Sequence, residues 1–434
     1  MDRNVKLYQK LENLFLNINL NIWESLENEF INSEPVKKLS SLFPKWYFLL
    51  ESAKKTDKDE TIRTLRHTLH TLQVYFSIKN NEFEKNVDKQ KLKSLRTHLD
   101  DFYEFDPLYF LLILLYHDIG RPFNRTWHTV KSEEIISRLN LLEEYNLPKY
   151  TEKLILIAIK HHLLVGTIFT GESSYFGSFV LYSELRNGEK NMSNQQIQLL
   201  FRTMKCFTLI DIWGYDYAKI YDHYFSYYNE ICGNLIEIFQ ESLSYQDKTS
   251  QKEYLQQALF RLDTQHLKWR IACSLRIFQF ITVKPHLTKE FYISKVEDGL
   301  AHIGSSWDEF QQTLKKNHPR IQFKYALPLM MILSTKEFSR APIDNSFEMQ
   351  SEIFSFWRKC TEIVERKISN ISDSRFSLFY FVFDFPRHWF FKSEYRNKIR
   401  TYLIDALSNA KSYFNETLSG HIITISLKDI NQEV

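Results

Sequence analysis

Over residues 5–30 the apolar positions Leu7, Leu11, Leu14, Phe15, Ile18 and Ile22 recur at spacings of three and four, which predicts an amphipathic helix. A polar interruption at 51–60 separates it from a second long helical pattern, which starts near Thr61 and runs through Val74 to Ile78. Asp106 and Pro107 then open a run, 108–116, that is apolar on every side, as expected of a helix central to a bundle. Gly120 and Pro122 end that helix just after His117 and Asp118, so two ionisable residues sit at the mouth of a greasy helix. Helical patterns follow over about 131–145, 149–164 and 193–217, with a loop rich in Gly and Ser at 166–177 that could border a pocket. Further on, helical patterns alternate with aromatic segments such as 376–383, and the tail 421–427 has the β-branched content of a strand. No internal repeat and no low-complexity tract interrupts this order.

Composition narrows the class. The 434 residues are 44% hydrophobic and 25% charged, a globular balance long enough for two or three domains. With only 10 Gly and 10 Pro, long helices with short connections are expected, so the fold should be mostly α, with minor β near the C-terminus. The polar stretch 242–252 is the best candidate break between a histidine-rich half and the rest. The expected layout is an N-terminal helical extension (1–55), a helical domain carrying the chemistry (56–225) and a mainly helical C-terminal region (226–434).

The 56 basic and 53 acidic residues nearly cancel, which gives no electrostatic reason to expect a nucleic-acid coat protein or a membrane-surface binder. Any anionic ligand must be met locally. Cys206, Cys232, Cys273 and Cys360 lie far apart with no C-x-x-C pair, which argues against a zinc knuckle or disulfide scaffold and suits a reducing interior. The start lacks an apolar signal core and no stretch is long enough to cross a bilayer, so a cytoplasmic protein is expected.

One set of residues changes the picture. His70 falls on one predicted helix, His117 and Asp118 at the end of another, His128 eleven residues on, His161 and His162 on a fourth element, and Asp211 on a fifth. Histidine and carboxylate are the ligands that borderline and hard divalent ions accept, and side chains from separate bundle helices can converge on one interior point. That combination reads as a metal centre. Scattered single histidines after residue 220 (His223, His266, His286, His302, His318, His388, His421) are read as structural or surface, and the aromatic run at 376–385 as core, since a base-stacking platform would interleave Lys and Arg.

The ordered set resembles the HD superfamily of metal-dependent phosphohydrolases: a histidine, a His-Asp doublet, further histidines and a distal aspartate. The resemblance covers about residues 60–220, less than half of the chain. It implies that His70, His117, Asp118 and Asp211 hold one metal, with Asp118 able to bridge, and that His128 with His161 or His162 serves a second. Only one of the adjacent pair need face the metal, because neighbouring helical residues point about 100° apart. His67, three residues before His70 and on the same side of the helix, is similar to the general-acid histidine of cyclic-nucleotide phosphodiesterases, although Thr68 stands where an asparagine usually follows. Arg121 is the first expected phosphate contact, with Arg125, Lys131 and Lys160 behind it. Arg121-Pro122 replaces the Glu-Asp of alarmone hydrolases, no Gly-Tyr-Pro motif of cyclic-di-GMP phosphodiesterases occurs, and the 119–123 run lacks the histidine of deoxynucleotide triphosphohydrolases.

The expected activity is hydrolysis of a nucleotide-like phosphate ester or anhydride through a water activated by one or two divalent ions. Mn, Fe, Ni, Co, Zn and Mg all suit such donors. The rival readings are a phosphodiesterase acting on cyclic nucleotides or oligonucleotides, and a non-catalytic regulator that binds metal and nucleotide. The expected partner is a nucleotide or other phosphorylated small molecule, with nucleic acid not favoured, no membrane, and oligomerisation left open.

Overall fold

The computed structural model describes residues 3–16, 27–83, 87–186, 193–215, 222–272, 275, 288–314, 316–336, 347–369, 377–385 and 392–426. The described chain is mostly α-helical with one four-stranded sheet towards the C-terminus. None of its helices is long and apolar enough to cross a membrane. It divides into two compact units, one formed by residues 1–165 with 193–232 and the other by 166–192 with 233–434.

The first unit is a helical bundle: α1 (Arg3–Leu16), α2 (Glu27–Ile31), α3 (Glu34–Leu42), α4 (Pro44–Ala53), α5 (Lys58–Lys79), α6 (Lys89–Phe105), α7 (Tyr109–Tyr116), α8 (His128–Arg138) and α9 (Lys149–His161). After α10 (Leu164–Phe169) and α11 (Phe179–Arg186), the chain returns to this unit with α12 (Asn194–Trp213) and the start of α13 (Asp222–Ser242). The first 55 residues therefore join the bundle, with α1 and α4 packed on α5. Ile18 and Ile22 of the first apolar pattern fall outside the described residues.

Local chemistry explains the helices that matter. Asp57 starts α5, its carboxylate accepting from the Glu60 amide (3.0 Å), so one of the orphan first-turn donors is satisfied. Ser193 and Gln196 close a reciprocal capping box on α12. Every residue of α7 is buried, as its uninterrupted apolar run requires.

The second unit holds α14 (Lys248–Ile271), α15 (Lys289–His302), α16 (Trp307–Leu314), α17 (Leu327–Ser334), α18 (Glu352–Ile368), α19 (Ser393–Ser408) and strands β1 (Ile321–Lys324), β2 (Leu378–Asp384), β3 (Lys411–Asn415) and β4 (Gly420–Ser426). The sheet order is β1-β2-β4-β3, parallel except for the β3–β4 pair. The aromatic run is thus the core strand β2, with Phe379 and Phe381 fully buried; Phe376 and Arg387 fall outside the described residues. The segment 166–177, expected as a loop, is helical over 166–169 as part of α10, and its remainder is pinned inside this unit. Arg270 donates to the carbonyls of Gly171, Glu172, His318 and Ile321, and Asp263 accepts from the amides of Tyr175 and Phe176.

Candidate metal centre

The candidate centre lies wholly within the first unit, where α5, α7, α8, α9 and α12 converge. α7 delivers His117 and Asp118 into the interior at its C-terminal end, 0% and 2% exposed. The chain then turns, the Arg121 amide donating to Asp118 O (2.9 Å) and the Gly120 amide to Ser132 Oγ on α8 (2.9 Å). Glycine is required at 120 by proximity: a Cβ there would come within 2.4 Å of Ser132 N and 2.8 Å of His128 O. That close approach sets His128, the first residue of α8, beside Asp118.

Asp118 is shared between two groups. One comprises His67, His117 and Asp118, the other Asp118, His128 and His162, and within each the potential ligand atoms lie within 4.8 Å of one another. Oδ2 of Asp118 is 3.6 Å from His117 Nε2, while Oδ1 is 3.2 Å from His128 Nε2 and 4.0 Å from His162 Nε2. Asp211, on α12, adjoins the first group: its Oδ1 accepts from His67 Nε2 (2.7 Å) and lies 3.5 Å from His117 Nε2. These buried groups could hold a metal ion.

Three of the imidazoles are oriented alike. Nδ1 of His117 donates to Leu114 O (2.8 Å), of His128 to Arg125 O (3.0 Å) and of His162 to Ile159 O (2.7 Å), each the carbonyl three residues back. A carbonyl can only accept, so the proton is on Nδ1 and the Nε2 lone pair turns inward, the arrangement in which metal-ligating histidines are usually held. His117 Nε2 and Asp118 Oδ1 are buried with no hydrogen-bond partner among the described residues. Native proteins rarely leave such atoms unmatched, and two inward-facing acceptors are the chemistry that a cation fits.

The electrostatics agree. Burial pushes His117 down and takes His162 down to about 3, so both are neutral at neutral pH, the form that can ligate a metal. Burial alone would raise the Asp118 carboxyl, but His117, Arg121 and His128 outweigh it and hold it well below the usual carboxylate range. Asp211 is lowered too, burial being outweighed by its pairing with His67. The one guanidinium among these residues, Arg121, pairs with Glu60 and Asp118, and Asp211 pairs with His67; the carboxylates outnumber the guanidinium, and a divalent cation would neutralise the excess.

The expected residues are placed unevenly. His67, His117, Asp118, His128, His162 and Asp211 come together. His70, one turn beyond His67 on α5, is only half-buried and belongs to neither group, so His67 occupies the place expected of His70. His162 rather than His161 points in, His161 also being half-buried and outside both groups. Arg121 reaches the centre, Nη1 donating to Asp118 Oδ2 (3.2 Å) and Nε to Glu60 Oε1. Lys131 instead pairs with Glu134 (2.9 Å) on the outer face of α8.

Three neighbours went unnoticed in the sequence. Glu60 holds Arg121, Thr64 lies one turn before His67, and the Tyr215 ring stacks on His67 at 4.2 Å and 19°. Counting back seven and three residues along α5 from His67 would have found the first two once that histidine was chosen. No protein-family model, curated protein or solved structure matches this chain.

Proposed function

We propose that the chain is a divalent-metal-dependent phosphohydrolase acting on a nucleotide-like phosphate ester or anhydride, as its resemblance to the HD superfamily implies. Its metal ligands are His67, His117, Asp118 and Asp211, with Asp118, His128 and His162 offering a second position. The observation that carries this reading is the Asp118 carboxylate, buried with one oxygen towards each histidine group. Arg121 partners only Oδ2; Oδ1, buried with no hydrogen-bond partner among the described residues, is the atom a cation would satisfy.

A bound divalent ion supplies a water of lowered pKa and neutralises charge on phosphoryl oxygens. The chain's residues do the rest. The carbonyls of Leu114, Arg125 and Ile159 fix three imidazoles so that no reorientation is needed on loading. Phe207 packs against His117 and His162, with ring centroids 5.0 and 5.1 Å away, excluding water from that wall. Arg121 stands beside Asp118 as the cation nearest to an incoming anion. His67 is assigned to the ligand set, so the general-acid role expected of it in a cyclic-nucleotide phosphodiesterase is dropped.

The test is a panel assay of the purified full chain for release of phosphate, pyrophosphate or nucleoside. It covers nucleoside mono- and triphosphates, cyclic nucleotides and a short single-stranded oligonucleotide, with Mn2+, Ni2+ or Mg2+. Turnover that disappears with EDTA and in Asp118→Ala supports the reading and names the substrate class. Turnover that survives both treatments, or tight metal binding with no turnover on any substrate, refutes it.

A further inference from the structure

The ligand set leaves over Glu60, Thr64 and Arg121. Positions 60, 64, 67 and 71 of α5 recur at spacings of three and four, so Glu60 and Thr64 share the face that carries His67. That face is fixed at both ends: Glu60 accepts from Arg121 Nε, and a Cβ added at Gly214 would meet Thr71 Cγ2 and His67 Cε1. Thr64 lies between them and is 2% exposed, and its hydroxyl has no hydrogen-bond partner among the described residues.

Arg121 is half committed. Nε is held by Glu60 and Nη1 by Asp118, while Nη2 has no hydrogen-bond partner among the described residues, and 13% of the side chain stays exposed. Held at Nε and at Nη1 by two different carboxylates, the guanidinium is fixed in plane with Nη2, which lies between them, left to meet an oxyanion beside the candidate metal centre. A buried hydroxyl on the adjoining helix face supplies a further donor, and an acceptor would remove the cost of leaving it unmatched.

We propose that Arg121 Nη2 and the Thr64 hydroxyl form a subsite for the non-bridging oxygens of a phosphoryl group, with Glu60 as the positioning residue that fixes the guanidinium plane. This rests on the phosphohydrolase reading above. The Glu60 and Asp118 carboxylates on Arg121 repel an anion, so the subsite binds phosphate only after a divalent cation is loaded, and binding is ordered, metal first.

The experiment separates the two layers. Manganese content of the full chain is measured by equilibrium dialysis, and binding of inorganic phosphate to the loaded protein by phosphorus NMR relaxation, for wild type, R121A, R121K, E60Q, T64V and T64S. All variants should keep wild-type manganese content. R121A should weaken phosphate binding by roughly tenfold to a hundredfold, as expected for loss of a charge-assisted hydrogen bond. R121K should recover only part of this, because an ammonium cannot be held in plane by Glu60. E60Q and T64V should each cost about threefold to tenfold, and T64S should restore the hydroxyl's share; without manganese, wild type should not bind phosphate. R121A or R121K with wild-type phosphate affinity at full manganese content overturns the subsite, as does T64V indistinguishable from T64S and wild type. Failure of wild type to take up manganese at all overturns the phosphohydrolase reading instead.

Discussion

Replacing Asp118 by asparagine keeps the shape of the side chain and removes the charge that both histidine groups share. Because Oδ2 faces His117 and Oδ1 faces His128 and His162, one substitution should disable both positions together. The magnitude follows from linkage. With the ion at a hundredfold its Kd, binding stabilises the folded state by about 2.7 kcal/mol. For a unit spanning residues 1–165 and 193–232, each kcal/mol is worth roughly 2–4 °C, so manganese should raise the wild-type midpoint by about 5–11 °C. Loss of outer-shell partners alone costs 10-fold to 100-fold in metal affinity. Loss of a ligand should reach at least the upper end, about a hundredfold, which brings the ion to its Kd and leaves only about 0.4 kcal/mol, or 1–2 °C.

Circular dichroism melts with and without Mn2+, alongside metal content by atomic absorption, read this directly. Arg121 keeps its bond to Glu60 in D118N, so the metal-free protein should still fold, at a cost of about 1–3 kcal/mol for the hydrogen bond to the charged group. The internal control is a pair of histidines one turn apart on α5: H67A should lose the manganese shift and H70A should keep it. A D118N protein with the wild-type shift and stoichiometry would refute the shared-carboxylate reasoning, and the reverse result for the histidine pair would refute the ligand choice.

Other outcomes follow from the same geometry. H162A should lower manganese content while H161A leaves it at the wild-type level, because only His162 lies in a group with Asp118; equal losses in dialysis would count against that assignment. G120A would drive a Cβ against the backbone of His128, Lys131 and Ser132, so α8 must move; a cost of about 1–3 kcal/mol is expected in urea melts, with fewer ions bound per chain. Unchanged stability and metal content would refute the requirement for glycine at 120. In the second unit, burial pushes the Asp263 carboxyl up to about 7, only partly offset by Arg270 and by the Tyr175 and Phe176 amides. A raised folded-state pKa means that stability is fully present below the unfolded value near 4 and is lost as pH rises towards 7. The wild-type melting midpoint should therefore fall between pH 5 and 7 and D263N should flatten that slope, whereas parallel slopes would exclude Asp263 as its source.

The doublet was readable because α7 is apolar on every side, which forces its end, and hence His117 and Asp118, into the interior. The choice between His67 and His70 was not, since residues three apart share a helix face. What separates them is where α12 lies against α5, placing Asp211 at 67, and no local spacing encodes that. His161 and His162 pose the same difficulty at the end of α9, where one step of about 100° decides which ring turns inward. β2 escaped the strand reading for a different reason. It pairs in parallel on both sides and is buried on both faces, so its sequence is an aromatic run without the alternation that marks a half-exposed strand.

The division into units was illegible for a third reason. The polar stretch at 242–252 is the turn between α13 and α14 together with the start of α14, capped by Asp247, while the observed break falls inside α13, between Cys232 and Gly233. A helix that passes from one unit to the other keeps its helical periodicity across the break and leaves no compositional mark. The segment 166–192 is harder still, since it interrupts the first unit in sequence yet belongs to the second. Its anchors are the Arg270 guanidinium and the Asp263 carboxylate, about a hundred residues away, acting on backbone groups rather than on side chains. Almost any sequence offers those backbone groups. The His/Asp cluster was the more legible part because it is built from particular side chains, whereas the unit boundary rests on backbone hydrogen bonds that the side-chain pattern does not record.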